Sequence, residues 1–421
     1  DVYKRQVRER LKRIGYRLAK GLDFPGVSLR QGTQIIGLEA EGNVWALGED
    51  GRIEKHYAEH IILATGAREC FLPFPGWTLP GVISTGAAQI LIKSSGILPG
   101  RNILVGGSGP LPLALAGEIS AARGRVCGYW NQATWTQQLR TLKYCRHHVS
   151  KVALGMRCLA RLFASRSPVL HGQKVLEARG NHVLEEVVLT GINQDGHSIE
   201  GSERTFAVDC LAVGYGFVPN LELAMLAGCK IECDSAKGGW VVKVDDSLQS
   251  SIQSIFAAGE LTGIAGAEKS LIEGCLAGLA IVDRLGAFNN GADEQQELFR
   301  LQKRRQREIA FGALLNALSQ PSPGMIQELP DETLICRCED INLGQIRTQI
   351  RHGFTSLDTI KKATNSGMGR CQGRICGPVI QEIIAVYSKA MKKKCRPYTV
   401  RNPIKPIRLS ALAEADCSDF S

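Results

Sequence analysis

The chain has 421 residues, 44% hydrophobic and 22% charged, which is ordinary globular material for two or three domains. Its net charge of +10 is spread out, densest in the first 20 residues, in KRRQR at 303–307 and in KKKCR at 392–396. These runs lack the interleaved aromatics of a nucleic-acid surface. No apolar run reaches the roughly 18 residues of a membrane span, because the best candidate, ILPGRNILVGGSGPLPLALAGEI, is broken by Arg101, prolines and glycines.

The opening DVYKRQVRERLKR is basic with no apolar core behind it, so it does not read as a signal peptide. The first methionine is Met156, inside an ordered pattern, and the sequence reads as a fragment lacking its N-terminal part. Residues 27–66 read as successive strands separated by Glu41-Gly42 and Asp50-Gly51, ending in the apolar run HIIL and the turn Ala64-Thr65-Gly66-Ala67. A proline-rich connection, FLPFPGWTLPGV, leads to a helix at 85–95 and then to a strand–glycine–helix unit, NILVGGSGPLPLALAGEISAARG. Residues 151–213 look β-rich. DCLAVGYGFVPNLELAMLAG is a buried strand, a glycine turn and a helix; SIFAAGE is a short strand, followed by a helix from about Lys269. Strands alternating with helices across glycine-rich junctions predict an α/β, doubly wound architecture.

A charged helix at 294–318 stops at the plausible linker QPSPG. Beyond it a compact unit, 331–394, carries Leu343, Ile346 and Ile350 on one helix, a short helix at 357–363 and a last helix from Pro378. Its apolar residues are too few for a self-sufficient core, so a metal staple is expected.

Four of the 14 cysteines carry the sharpest signal: Cys336-x-Cys338, 32 residues, then Cys371-x4-Cys376 in the glycine-rich GMGRCQGRICGP. Four thiolates are what a [2Fe–2S] cluster takes. Glycines at 367, 369, 373 and 377 permit the bends that bring both sulfurs of a pair, and nearby N–H groups, to one centre. Arg337, Arg370 and Arg374 would offset the cluster's charge. A structural zinc is the rival, although zinc pairs are typically about two to four residues apart and rarely use CxC; a metal-free remnant is the third reading. The first eight cysteines form no CxxC and read as free thiols, and Cys145-Arg-His147-His148 as surface decoration. No GxSxG or HExxH supports a hydrolase.

CRCED, Lys361–Thr364 and GMGRCQGRICGP resemble the [2Fe–2S] domain related to bacterioferritin-associated ferredoxin, in the form fused to FAD-dependent amine and amino-acid dehydrogenase subunits. ATGARECFLPFPGWTLPGV, GGSGP, GYGFVPN and FAAGELTGIAGAEKSLIEGCLAG resemble the same proteins: the opine oxidase A subunit, the flavoprotein subunit of hydrogen cyanide synthase, and the larger subunit of dye-linked proline dehydrogenases. The resemblance implies a Rossmann-like flavoprotein with two dinucleotide-binding domains, its first βαβ unit missing, plus a small α-helical [2Fe–2S] domain. The implied division is 1–100 and 206–288 for FAD, 101–205 for a second nucleotide, 289–330 a helical linker, 331–394 the cluster and 395–421 a tail.

By the same resemblance Ala64, Thr65, Gly66, Ala67, Gly259, Glu260 and Gly266 would line FAD, with Glu260 standing where an aspartate usually accepts hydrogen bonds from the ribityl chain or ribose. The loop at Gly107 and Gly109 follows a strand and opens a helix, as a pyrophosphate loop should, but Pro112 replaces the third glycine and no ribose-binding acid follows. NAD(P) or another adenine nucleotide is open there. The implied activity is an electron-transfer subunit of a multi-subunit amine or amino-acid (opine, proline, sarcosine or glycine-like) dehydrogenase. Its partners would be a glycine-oxidase-like flavoprotein and a quinone or other acceptor, in the cytoplasm or peripheral to the inner membrane. No catalytic acid or base is named. The alternatives are a self-contained NAD(P)H-dependent FAD oxidoreductase and a zinc-binding scaffold.

Overall fold

The computed structural model describes residues 10–22, 24–139, 148–287, 291–388 and 395–414. Five strands form a parallel sheet in the order Val82–Ser84, Cys210–Tyr215, Asn102–Ser108, Arg125–Asn131, Val169–His171. Every residue of Cys210–Tyr215 is buried, as a parallel strand covered on both faces requires. Side chains alternate between the faces: Ile103 and Val105 pack with Leu115, Ile119 and Leu162 of the helices. Leu104 joins Trp130, Val187 and Leu189 on the other side, where the antiparallel sheet Gln173–Arg179, Glu186–Gly191, Arg204–Ala207 lies.

A second unit holds the meander Gln34–Leu38, Asn43–Leu47, Ile53–Tyr57 and the parallel pair Ile61–Leu63 with Ile255–Ala257. The chain crosses between the two units on an antiparallel pair, Ala67–Glu69 with Phe217–Pro219. This is an α/β architecture with a small C-terminal helical domain, as the sequence predicts.

Two expectations need correction. Residues Val149–Ala164 form a helix, not strands; Val149, Met156 and Phe163 are exposed while Cys158 and Leu162 are buried. Val149, Val152, Met156, Leu159 and Phe163 recur at the three- and four-residue spacing of a helix, a period that the β reading overlooked. The supposed linker is a buried keystone: Pro323–Gln327 is a short helix with Met325 and Ile326 in the core. Glu328, just after it, pairs with Lys174 and accepts from Ser198 Oγ at 2.6 Å. The cluster unit, as its few apolar residues imply, does not depend on its own core alone. Its hairpin Leu334–Cys336/Ile341–Asn342 and helices Leu343–Arg351, Leu357–Thr364 and Cys376–Tyr387 share one contiguous apolar core with the parallel sheet. Trp77 Nε1 donates to Leu334 O across the junction at 2.7 Å. No helix among the described residues is long and apolar enough to cross a membrane.

Candidate redox site

The two turns expected to meet FAD sit side by side. Ala64–Gly66 and Ala258–Glu260 leave the carboxyl ends of the adjacent parallel strands Ile61–Leu63 and Ile255–Ala257, joined by Ala258 N–H donating to Leu63 O at 3.0 Å. That end of a parallel pair is where α/β folds take their ligands. Thr65 Oγ1 donates to Asn220 O at 2.7 Å and Asn220 Nδ2 returns to Thr65 O at 2.9 Å, so GYGFVPN clamps the first turn. Gly66 and Gly266 both have positive φ, +67° and +93°, and a β-carbon on either would meet nothing within 4 Å. The space beside both turns is therefore open, and the residues fit a flavin nucleotide laid along them. Gly266 precedes helix Ala267–Arg284, whose N-terminal N–H groups favour negative charge. Glu260 is turned inward: its carboxylate accepts Gly266 N–H at 2.8 Å, which orders the loop.

Beneath the second turn lies a buried ionic cluster that has no counterpart among the sequence-based expectations. Glu273, 0% exposed, accepts from Gly259 N at 2.8 Å, Thr262 Oγ1 at 2.6 Å, Lys269 Nζ at 2.9 Å and Arg305 Nε at 2.9 Å. Lys269 also donates to Gly259 O at 2.7 Å and Gly263 O at 3.0 Å. Burial pushes the Lys269 ammonium below its usual range and Glu273 opposes this. One carboxylate thus ties the turn to two helices.

The loop at Gly107 and Gly109 lies in the other sheet. A β-carbon at Gly107 would reach 1.9 Å from Gly214 O, so close strand packing demands this glycine. Prolines at 110 and 112 remove two N–H donors from the helix's first turn. The end of helix Ala292–Ser319 covers the loop, with Ser108 Oγ donating to Ser319 O at 3.1 Å and Gln132 Nε2 to Gln320 O at 3.0 Å.

The four cysteines converge. Cys336 and Cys376, 2% and 1% exposed, interact thiol to thiol, and so do Cys338 and Cys371 nearer the surface, so each contact joins one cysteine of CxC to one of Cx4C and not the two of one sequence pair as expected. The Cys336 thiol is pulled down to about 5 by the Cys376 hydrogen bond, helped by N–H groups of Gly367, Cys338 and Glu339, against burial. Cys376 is pushed up by the same bond and by burial. Among the described residues, the trio of ligand-type atoms mutually within 4.8 Å is His148, Glu268 and Glu308; no three of these sulfurs meet that limit. A tetrahedral zinc would hold all four sulfurs about 3.8 Å apart, given Zn–S near 2.3 Å. Two separate pairs instead suit two metals with two thiolates each, so the donors fit a [2Fe–2S] cluster. The His148 trio already holds the Lys151 ammonium, 2.6 Å from Glu268 and 2.8 Å from Glu308. Cys145 and His147 lie outside the described residues. Arg337 lies over the Trp77 ring at 5.7 Å, and Arg374 donates to Cys371 O and Ile404 O.

Fold and site together define a flavoprotein of two nucleotide-binding units with a thiolate cluster domain built onto the same body. The chain belongs to the pyridine nucleotide-disulphide oxidoreductase family, whose model matches residues 6–275, and a BFD-like [2Fe-2S] binding domain matches residues 334–386. It is an FAD oxidoreductase with a C-terminal [2Fe–2S] domain. It is 31% identical over 374 residues to the opine oxidase A subunit of Rhizobium meliloti, covering 88% of this chain and 69% of that protein. It is 30% identical over 394 residues to hydrogen cyanide synthase subunit HcnB of Pseudomonas aeruginosa, covering 91% and 82%. L-proline dehydrogenase from P. horikoshii shares the fold, with a TM-score of 0.68 at 20% identity over 96% of this chain and 69% of that one.

Proposed function

We propose that this chain is the electron-transfer subunit of a multi-subunit amine or amino-acid dehydrogenase or oxidase. A glycine-oxidase-like partner flavoprotein oxidises the C–N bond of an opine, proline, sarcosine or glycine-like donor. Reducing equivalents pass through this chain to a quinone or other acceptor, in the cytoplasm or at the inner membrane. The relatives' names support the donor class, and the domain division expected from the sequence belongs to the same reading, apart from the linker, which is packed into the core.

One observation carries it. Arg68 directly follows the Ala64–Ala67 turn, and its Nε donates to Arg374 O at 3.1 Å, between Cys371 and Cys376. Arg68 Nη1 is held by Asn220 Oδ1 and Glu222 Oε1, both at 2.8 Å. The flavin turn and the cluster loop are thus separated by one rigidly held side chain. FAD supplies the exchange between two-electron and one-electron chemistry, and the cluster supplies one-electron steps. The chain's part is to fix distance and orientation. Ala64–Ala67, Gly259, Glu260 and Gly266 would hold FAD, and Cys336, Cys338, Cys371 and Cys376 the cluster.

Purified with its partner, the complex should reduce a dye with an amine donor, and neither protein alone should do so. NADH should leave the flavin of the isolated chain oxidised, because the Gly107–Gly109 loop has lost two donors and is covered by residues 319 and 320. Rapid bleaching by NADH without a partner would favour a self-contained NAD(P)H oxidoreductase.

A further inference from the structure

We propose that the cavity between the flavin turn and the cysteine loop is the docking site of the electron acceptor, and that this acceptor is a quinone. The inference rests on the electron-transfer role proposed above and gives the acceptor a place in this chain. The cavity has a volume of about 490 Å³, within the roughly 300–1,000 Å³ of small-molecule sites. None of the turn residues assigned to FAD lines it.

Its walls come from both redox neighbourhoods. Arg68, next to the flavin turn, forms one side, and Gln372 and Gly377, next in the chain to Cys371 and Cys376, belong to another. Tyr398 lines that second side: a β-carbon at Gly373 or Gly377 would come within 2.5 or 3.1 Å of its ring, so the ring packs directly on the cysteine loop. Phe217, Leu221, Met225 and Trp240 make the rest largely apolar. Exposed Arg401, Asn402 and Lys405 mark the side open to solvent.

The charge on these walls narrows the ligand. Glu222 Oε1 lies 2.8 Å from Arg68 Nη1 and 3.5 Å from Arg374 Nε, so two guanidiniums share one carboxylate. With Lys361, Arg401 and Lys405 set against Glu382, the lining carries three more positive than negative side chains. Both guanidiniums are held by the protein: Arg68 Nε donates to Arg374 O at 3.1 Å and Nη1 to Asn220 Oδ1 at 2.8 Å, while Arg374 Nη1 donates to Cys371 O at 3.3 Å and Nη2 to Ile404 O at 2.7 Å. Neither keeps the unspent two-pronged face that recognises a permanent carboxylate or phosphate. What remains is a positive field beside apolar walls, which suits a ring that enters neutral and becomes negative as it is reduced. A quinone does this. It takes two electrons, one at a time, from the reduced cluster and two protons from water, and leaves as the quinol.

The test is titration of the iron-loaded full chain with 2-methyl-1,4-naphthoquinone, read by tryptophan fluorescence and by reoxidation of the reduced cluster. Saturable quenching in the parent, lost in Trp240→Phe, is the expected binding result. Met225→Trp, which fills the cavity, should slow reoxidation by the quinone by about 10-fold or more, the effect of about 1.4 kcal/mol of lost affinity. That rate is taken relative to ferricyanide, which reaches the exposed Cys338 side. Quenching that survives in Trp240→Phe, or none in the iron-loaded parent, would overturn the site even if Met225→Trp loses its iron. Quenching without reoxidation, or a Met225→Trp chain reoxidised as fast as the parent, would overturn the acceptor role. More than one flavin extracted per chain would make the cavity a cofactor site and overturn the proposal too. A parent that takes up no iron would overturn the electron-transfer reading itself, whereas an iron-loaded parent without quenching overturns this inference alone.

Discussion

Cys376→Ala should strip the chain of iron and of visible cluster absorption while its flavin content stays at the parent level. Cys376 opens helix Cys376–Tyr387, is 1% exposed and faces Cys336. A helix N-terminus favours the thiolate that a metal needs. Losing even an outer-shell partner of a metal ligand costs about 10–100-fold in affinity or activity. Losing a ligand should cost more, and passage of electrons from reduced flavin to a one-electron dye should fall by upwards of about 100-fold. Cys395→Ala is the control. That thiol is buried too, and burial pushes it up to about 11, but no other cysteine perturbs it. It should keep full iron content. A Cys395 variant that loses its iron while the Cys376 variant keeps it would mean the wrong sulfurs have been assigned.

Glu273→Ala should be the most destabilising change in the flavin unit. It leaves Lys269 and Arg305 facing each other without their shared carboxylate and leaves Gly259 N–H unsatisfied. Breaking a buried pair by removing one partner costs about 3–5 kcal/mol, a large part of the roughly 5–15 kcal/mol that holds a domain together. At about 2–4 °C per kcal/mol for a unit of this size, thermal melting should fall by roughly 6–20 °C. Flavin should be lost as the 259–266 turn loosens. The triple variant K269M/E273L/R305M should recover most of the melting temperature, since replacing a whole buried ion set with apolar residues is often near neutral. A single variant that melts like the parent would show that the carboxylate is not the tie described.

The strongly patterned parts of the fold were legible in the sequence. HIILATGA and SIFAAGE read as strand ends with glycine turns, and the structure sets those ends beside each other. The helix carrying Leu343, Ile346 and Ile350 is where its spacing puts it, with Asn342 and Gln345 forming a capping box that sharpens its start. CxC and Cx4C pointed to a metal site because four sulfurs so spaced have few other uses, and the structure brings those sulfurs together. Long-range contacts left no such trace. Lys269 and Glu273 stand four apart on one helix, a visible pairing, but nothing in KRRQR sets Arg305 apart from its exposed neighbours. Tyr398 and the 395–404 segment read as a tail because their partners are Gly367, Asp358 and Ile36, distant in the chain. QPSPG read as a linker because turn residues mark a break in helix and say nothing of what buries Met325 and Ile326.

The most direct test of the central claim is to purify the chain anaerobically and assay iron, acid-labile sulfide and zinc per polypeptide. About two irons and two sulfides, with a visible spectrum that bleaches on reduction, is the predicted result. One zinc per chain, no sulfide and a spectrum blank apart from flavin would contradict it.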